Sequence, residues 1–176
     1  MLYSSELKKA MELLAKNPRT IFLGQAVAYP GHNLNKSLID IPIEKRLEMP
    51  VAEDLQMGMT IGLALEGFIP ISIYPRMDFI ILACNQLVNH LDKIPILTKG
   101  KTNPIAIIRV AVGSKIPLYP GAQHCQDHTA ALESMCQTIQ IKKLYYAKDI
   151  VPAYAEALNS NKPSLLIEYG DRYDTN

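Results

Sequence analysis

Short β-prone runs alternating with stretches of helical periodicity predict an α/β domain, a doubly wound and mostly parallel sheet flanked by helices. The runs are nearly all apolar, as strands covered on both faces must be. The chain of 176 residues, 48% hydrophobic and 20% charged, has the size and composition of one folded domain, residues 1–176. Its 18 basic and 17 acidic residues leave a net charge of +1, so no whole-chain field favours a nucleic acid or an anionic membrane as partner. No apolar run approaches the ~20 residues that span a bilayer. The N-terminal segment carries charges where a signal peptide is hydrophobic, so a cytoplasmic location is expected. Cys84, Cys125 and Cys136 are odd in number and lack a C-x-x-C spacing, and they read as reduced thiols.

In chain order, Ser4 and Ser5 are candidate caps of an amphipathic helix whose apolar face is Leu7, Ala10, Met11 and Leu14, stopped by Asn17-Pro18. Thr20 to Leu23 is a strand candidate ending at Gly24, and Ile69 to Tyr74 is a second, with Pro70 near its start, where a missing ladder donor is tolerated. Ile105 to Val110 and Ser164 to Glu168 follow prolines and read as strands, and Gln140 to Leu144 is a weaker one. Phe79 to Lys93, Asp127 to Gln137 and Asp149 to Leu158 read as helices. Glu53 to Glu66 fits either period: its apolar residues alternate as in a strand, but acidic residues after Pro50 suit a helix N-terminus. A buried helix is expected there, with Gly58 and Gly62 on one face allowing close packing. The long irregular segments are Ala26 to Pro50 and Gly113 to Gln126, and long loops in compact domains often carry function.

Several residues then recur in a telling order: Pro50-Val51-Ala52-Glu53, Gly58, Gly62-Leu63-Ala64, Gly67, Pro70-Ile71, Asp78-Phe79, Asn85-Gln86, Asn89, Lys93, Arg109 and Ala122-Gln123-His124-Cys125-Gln126. Together they resemble the pyrimidine-binding domain of thiamine-diphosphate enzymes, with the thiamine-diphosphate-binding fold and a transketolase-like arrangement. The likeness is to the β subunit of 2-oxo-acid dehydrogenase E1 components, from roughly Gly24 to the C-terminus.

The resemblance assigns roles residue by residue. Glu53 stands where the family's Pro-x-x-Glu carboxyl contacts N1′ of the aminopyrimidine; sharing a proton there favours the imino tautomer, whose exocyclic nitrogen takes the C2 proton of the thiazolium. Met49, Val51 and Ala52 give it an apolar setting. Without the resemblance, Glu53 reads as a solvated first-turn acid. Phe79 matches the aromatic that stacks on the pyrimidine, although plain core packing explains it equally. His124 matches the histidine of the His-Ser-Gln segment that faces the reacting carbon, and imidazole suits proton transfer near neutrality. Gln25, Arg109 and His128 are candidate substrate residues: arginine binds carboxylate or phosphate, but at a strand end it also serves surface ion pairs. His124, Cys125 and His128 lack a well-spaced further ligand, so no metal site is expected on this chain.

Two departures stand out: Gly24-Gln25-Ala26-Val27 replaces the family's Gly-Glu-Asp-Val, and Cys125 replaces a serine. The family's diphosphate-binding domain, with Gly-Asp-Gly and an asparagine pair holding Mg²⁺, is not encoded here, since Gly170-Asp171-Arg172 does not supply it. A diphosphate-binding, α-type subunit is therefore expected to bring Mg²⁺ in a heterotetramer. The 176 residues also stop before the C-terminal domain into which such β subunits continue. The implied function is the pyrimidine-binding subunit of a heteromeric enzyme acting on a small 2-oxo acid or ketose. The alternatives are a two-subunit 2-oxo-acid decarboxylase of the sulfopyruvate type and a catalytically silent regulatory or scaffold module, the latter motivated by Gln25.

Overall fold

The structure, a computed structural model, describes residues 2–116 and 118–173. Its elements are α1 (Tyr3–Ala15), β1 (Thr20–Gly24), β2 (Arg46–Glu48), α2 (Glu53–Leu65), β3 (Ile69–Tyr74), α3 (Ile94–Leu97), β4 (Ile107–Val112), α4 (Thr129–Met135), β5 (Gln140–Leu144), α5 (Ala147–Asn159) and β6 (Ser164–Tyr169). The strands form one 6-stranded sheet in the order β2-β1-β3-β4-β6-β5, and every neighbouring pair is parallel. This is the doubly wound α/β architecture that the alternation predicts.

Period-2 packing on each strand explains the two layers of core. Ile69, Ile71 and Ile73 of β3, with Ile107 and Ala111 of β4, face α1 and α5. Tyr74, Ile108 and Val110 face the opposite way, against α2, the 77–91 segment and Leu132 of α4. All six residues of β3 are buried, so this central strand shows no alternation of polarity. Pro70, its second residue, pairs with Ile21 of β1. In α2 the helical reading wins: Glu53, Gln56, Met57, Thr60, Ile61 and Ala64 are buried at the spacing of one helix face.

Four expectations need correction. Ser4 and Ser5 lie inside α1, whose N-cap is Leu2 with no side-chain bond. Strand β4 runs two residues later than the apolar run suggests. The segment read as one helix from Phe79 to Lys93 is a 3₁₀ turn over Met77–Ala83 and a π turn over Gln86–Leu91, followed by the short α3. Gly58 and Gly62 do not serve close packing within the chain, since a Cβ at either would meet nothing within 4 Å. They lie on the outward face of α2 beside the exposed Leu55, Met59 and Leu65.

The loops of interest leave the carboxyl ends of the strands. From β1 the chain departs toward β2 at one edge, and from β3 it departs the other way toward β4, so a topological switch point lies between β1 and β3. Such a crevice is where open α/β sheets bind ligands. Gly24 makes the approach possible: its φ is +152°, and a Cβ there would lie 2.5 Å from the Ile73 carbonyl oxygen. Among the described residues no helix is long and apolar enough to cross a membrane.

Candidate active site

Glu53 is the first residue of α2 and is only 4% exposed. Two interactions explain why α2 starts against the switch point. Gln56, one turn along and on the same face, donates from Nε2 to Ser72 Oγ at 3.0 Å and to the Ile73 carbonyl at 3.1 Å. The Tyr74 hydroxyl donates to the Glu53 carbonyl at 3.3 Å. The Glu53 carboxylate then receives the Gln25 amide, Nε2 to Oε1, at 3.0 Å. Its Oε2 accepts no hydrogen bond from the described residues. Met49 is buried as expected for an apolar setting, but Val51 is 80% exposed.

The loop after β1 is fixed by its neighbours. Glu48, at the end of β2, accepts from the Ala26 and Ala28 N–H groups at 2.6 and 2.7 Å. Asn35 Nδ2 donates to the Ala26 carbonyl at 2.8 Å, and His32 Nε2 meets the Gln25 carbonyl at 2.7 Å. Ala26 is held at φ 50°, a left-handed conformation that costs a non-glycine residue about 1 kcal/mol or more. Burial lowers the pKa of His32, so the ring is neutral near pH 7, with Nε2–H donating and Nδ1 buried without a partner.

A second group forms after β3. Phe79 meets His124 edge-on, with ring centroids 5.7 Å apart. Asp78 Oδ1 accepts from Gln126 Nε2 at 2.8 Å and from its backbone N–H at 3.3 Å, while Asp78 Oδ2 is buried without a partner. Arg76 Nη1 reaches the His124 carbonyl at 3.4 Å. Gly113, just after β4, lets this loop close down, because a Cβ at that position would lie 1.9 Å from the His124 carbonyl oxygen. Residues 76, 78 and 79 thus clasp residues 124–126. The structure brings Gln25 to Glu53 and Phe79 to His124; no hydrogen bond or ring contact joins one pair to the other among the described residues.

Beside these groups lies a cavity of about 770 Å³, lined by His32, Lys36, Ser37, Arg76, Arg109 and Ser114 among others. No Asp or Glu lines it among the described residues. Among the described residues Lys36 and Arg76 form no ion pair, whereas Lys8, also on the cavity wall, pairs with Asp40 at 2.5 Å. His32 and Arg76 connect the cavity to Gln25 and His124; Glu53 and Phe79 do not line it.

Arg109 is neither at a strand end nor at the surface. It lies inside β4, fully buried, with Nε and Nη2 on the Glu168 carboxylate at 2.7 and 3.1 Å and Nη1 on Ser37 Oγ at 2.7 Å. His128 precedes α4; its N–H meets the Met77 sulfur at 2.9 Å, and its buried Nε2 has no partner. Cys84, Cys125 and Cys136 are unpaired thiols, and burial pushes that of Cys136 up to about 11. Among the described residues no group of three or more His, Cys, Asp or Glu could hold a metal ion. The sequence reading missed Gln56, His32 and Arg76; only Gln56 gave a signal, as a polar residue on the buried face of α2.

Comparison with known proteins agrees with this architecture. No family model matches the chain. It is 29% identical over 175 residues to the pyruvate dehydrogenase E1 component subunit beta of Cyanidium caldarium, covering 96% of this chain and 51% of that one. It is 28% identical over 126 residues to a 3-methyl-2-oxobutanoate dehydrogenase subunit beta of Mycobacterium tuberculosis, covering 70% of this chain and 34% of that one. Among solved structures, a split-gene transketolase described as an inactive β4 tetramer superposes with a TM-score of 0.73 at 19% identity, over 96% of this chain and 51% of that one. Transketolase from Campylobacter jejuni gives a TM-score of 0.77 at 15% identity, over 96% of this chain and 25% of that one. The chain is therefore similar to E1 β subunits of pyruvate and 3-methyl-2-oxobutanoate dehydrogenases, with a transketolase-like α/β fold, and it spans about half the length of the curated relatives it matches.

Proposed function

We propose that residues 1–176 form a pyrimidine-binding domain that acts, with a diphosphate-binding partner subunit, in a thiamine-diphosphate-dependent enzyme for a 2-oxo acid or ketose. The observation that carries this reading is the Glu53 carboxylate, buried at the switch point with Oε1 held by Gln25 and Oε2 unengaged. Such a group suits a ring nitrogen, which can share a proton with Oε2. Thiamine diphosphate, when bound, supplies a C2 carbon that attacks carbonyl groups. Phe79 offers an apolar face to a pyrimidine ring, and His124, whose ring meets Phe79 edge-on and whose backbone carbonyl accepts from Arg76, is the residue we assign to move a proton at the substrate. The adjoining cavity, with Lys36 and Arg76 and no acid among its described walls, fits a small anionic substrate.

Residues 1–176 contain no Gly-Asp-Gly segment with an asparagine pair, and we assign Mg²⁺ and the diphosphate to the partner. The outward face of α2, where Leu55, Met59 and Leu65 are exposed, is apolar enough for a subunit contact. Calorimetry on the isolated chain is expected to find weak thiamine diphosphate binding with no Mg²⁺ dependence; tight, Mg²⁺-dependent binding to this chain alone would overturn the division of labour. Turnover of 2-oxo acids and ketoses after mixing with the partner tests the activity. Within that complex, His124→Ala is expected to slow a late proton-transfer or acceptor step by about 10²-fold while leaving cofactor activation near normal. Pre-steady-state kinetics showing equal losses in both steps would remove His124 from that role.

A further inference from the structure

We infer that Gln25 is a positioning residue, whose neutral amide holds Glu53 Oε1 and reserves Oε2 for the ligand. This inference rests on the reading of Glu53 given above and explains why an amide stands at this place. The contact is between a side chain of the loop after β1 and the first residue of α2, at 3.0 Å, and Glu53 is nearly inaccessible. The Gln25 backbone has little freedom to retreat. Its carbonyl meets His32, the next residue is held at φ 50°, and Glu48 and Asn35 bond the peptide groups of residues 26–28.

An amide matches both states of its partner. Its NH₂ donates to Oε1 of a carboxylate and equally to Oε1 of a carboxylic acid whose proton sits on Oε2. Gln25 therefore keeps Glu53 in one place while its protonation changes, which a group that shares a proton with a ligand requires. A carboxylate at position 25 would instead put two like charges about 3 Å apart, and such a pair retains a proton rather than ionising fully.

The test compares wild type, Gln25→Glu, Gln25→Ala and the swapped Gln25→Glu/Glu53→Gln chain by urea unfolding between pH 4 and pH 8, without cofactor. Asp54, Tyr74, Glu48 and His32 are the other titratable groups around the pair; they are common to every variant, so differences between variants isolate the pair. Gln25→Glu is expected to lie closest to wild type near pH 4, where repulsion between two carboxyl groups is weakest. It should lose ground as pH rises through the carboxylate range, until its unfolding constant is at least about 10-fold larger at pH 8. The swapped chain, again one acid and one amide, is expected to recover wild-type behaviour across the range. A Gln25→Glu chain that tracks wild type at pH 8, or a swapped chain no better than Gln25→Glu, would overturn the contact.

A second arm reads positioning: in the assembled complex, Gln25→Ala is expected to slow exchange of the thiamine diphosphate C2 proton by about 10-fold. Unchanged exchange, in a complex that Glu53→Gln inactivates, would overturn the positioning role. If Glu53→Gln itself leaves exchange intact, the functional reading of Glu53 falls and the positioning role falls with it, whereas the unfolding arm still decides whether the contact exists.

Discussion

Replacing Arg109 with methionine is expected to destabilise the chain by about 3–5 kcal/mol, the cost of removing one partner of a buried ion pair. Arg109 and Glu168 are each 0% exposed, so the substitution leaves a buried carboxylate without its counter-charge. Among the described residues Glu168 would keep the Tyr154 and Tyr173 hydroxyls, each at 2.7 Å, as its side-chain donors. Burial and the adjacent Glu168 raise the pKa of both tyrosines well above the ordinary value, so they remain O–H donors and bring no positive charge. Ser37 would also lose its guanidinium partner, loosening the turn at residues 33–38 that walls the cavity. Against a total stability of about 5–15 kcal/mol, such a loss is large. Urea unfolding reads it as a lower midpoint at unchanged slope. An unmoved midpoint would show that this network does not hold β4, β6 and the 33–38 turn together.

The parts of the fold legible in the sequence are those whose boundaries are chemical. Strands β1 and β3 fall on their apolar runs because Gly24 ends the one and Gly67 precedes the other sharply, and β5 coincides with Gln140 to Leu144. Strand β2 was invisible, since Arg46-Leu47-Glu48 has no apolar run; it exists because β1 pairs with it and the Met49 N–H reaches the Gly24 carbonyl. The windings of the 77–91 segment were equally hidden, because apolar residues spaced by three, four or five occupy much the same face of a 3₁₀, α or π turn. Polar partnerships across the sheet leave no local trace. Arg109 looked like a surface or ligand-binding charge because Glu168, its partner, comes from another strand. Glu53, Phe79 and His124 are candidates through their order in the sequence, whereas the clasp by Arg76 and Asp78 and the cavity beside it emerge only when the loops after β3 and β4 meet.

Glu53→Gln is expected to have the largest effect on chemistry. The substitution keeps the side-chain volume and the start of α2, and an amide facing Gln25 can still form one hydrogen bond, so the fold should survive with little change in thermal stability. What it loses is a group able to share a proton. A general acid–base contribution is worth typically 10²–10⁴-fold, so the loss appears in cofactor activation rather than in folding. The most direct measurement is the rate at which the C2 proton of thiamine diphosphate exchanges with deuterium in the complex assembled with the diphosphate-binding partner and Mg²⁺. A Glu53→Gln complex that assembles normally should exchange at least about 10²-fold more slowly than wild type. Exchange at the wild-type rate in that intact complex would contradict the account, taking Glu53 out of the mechanism and leaving the chain a silent module of its assembly.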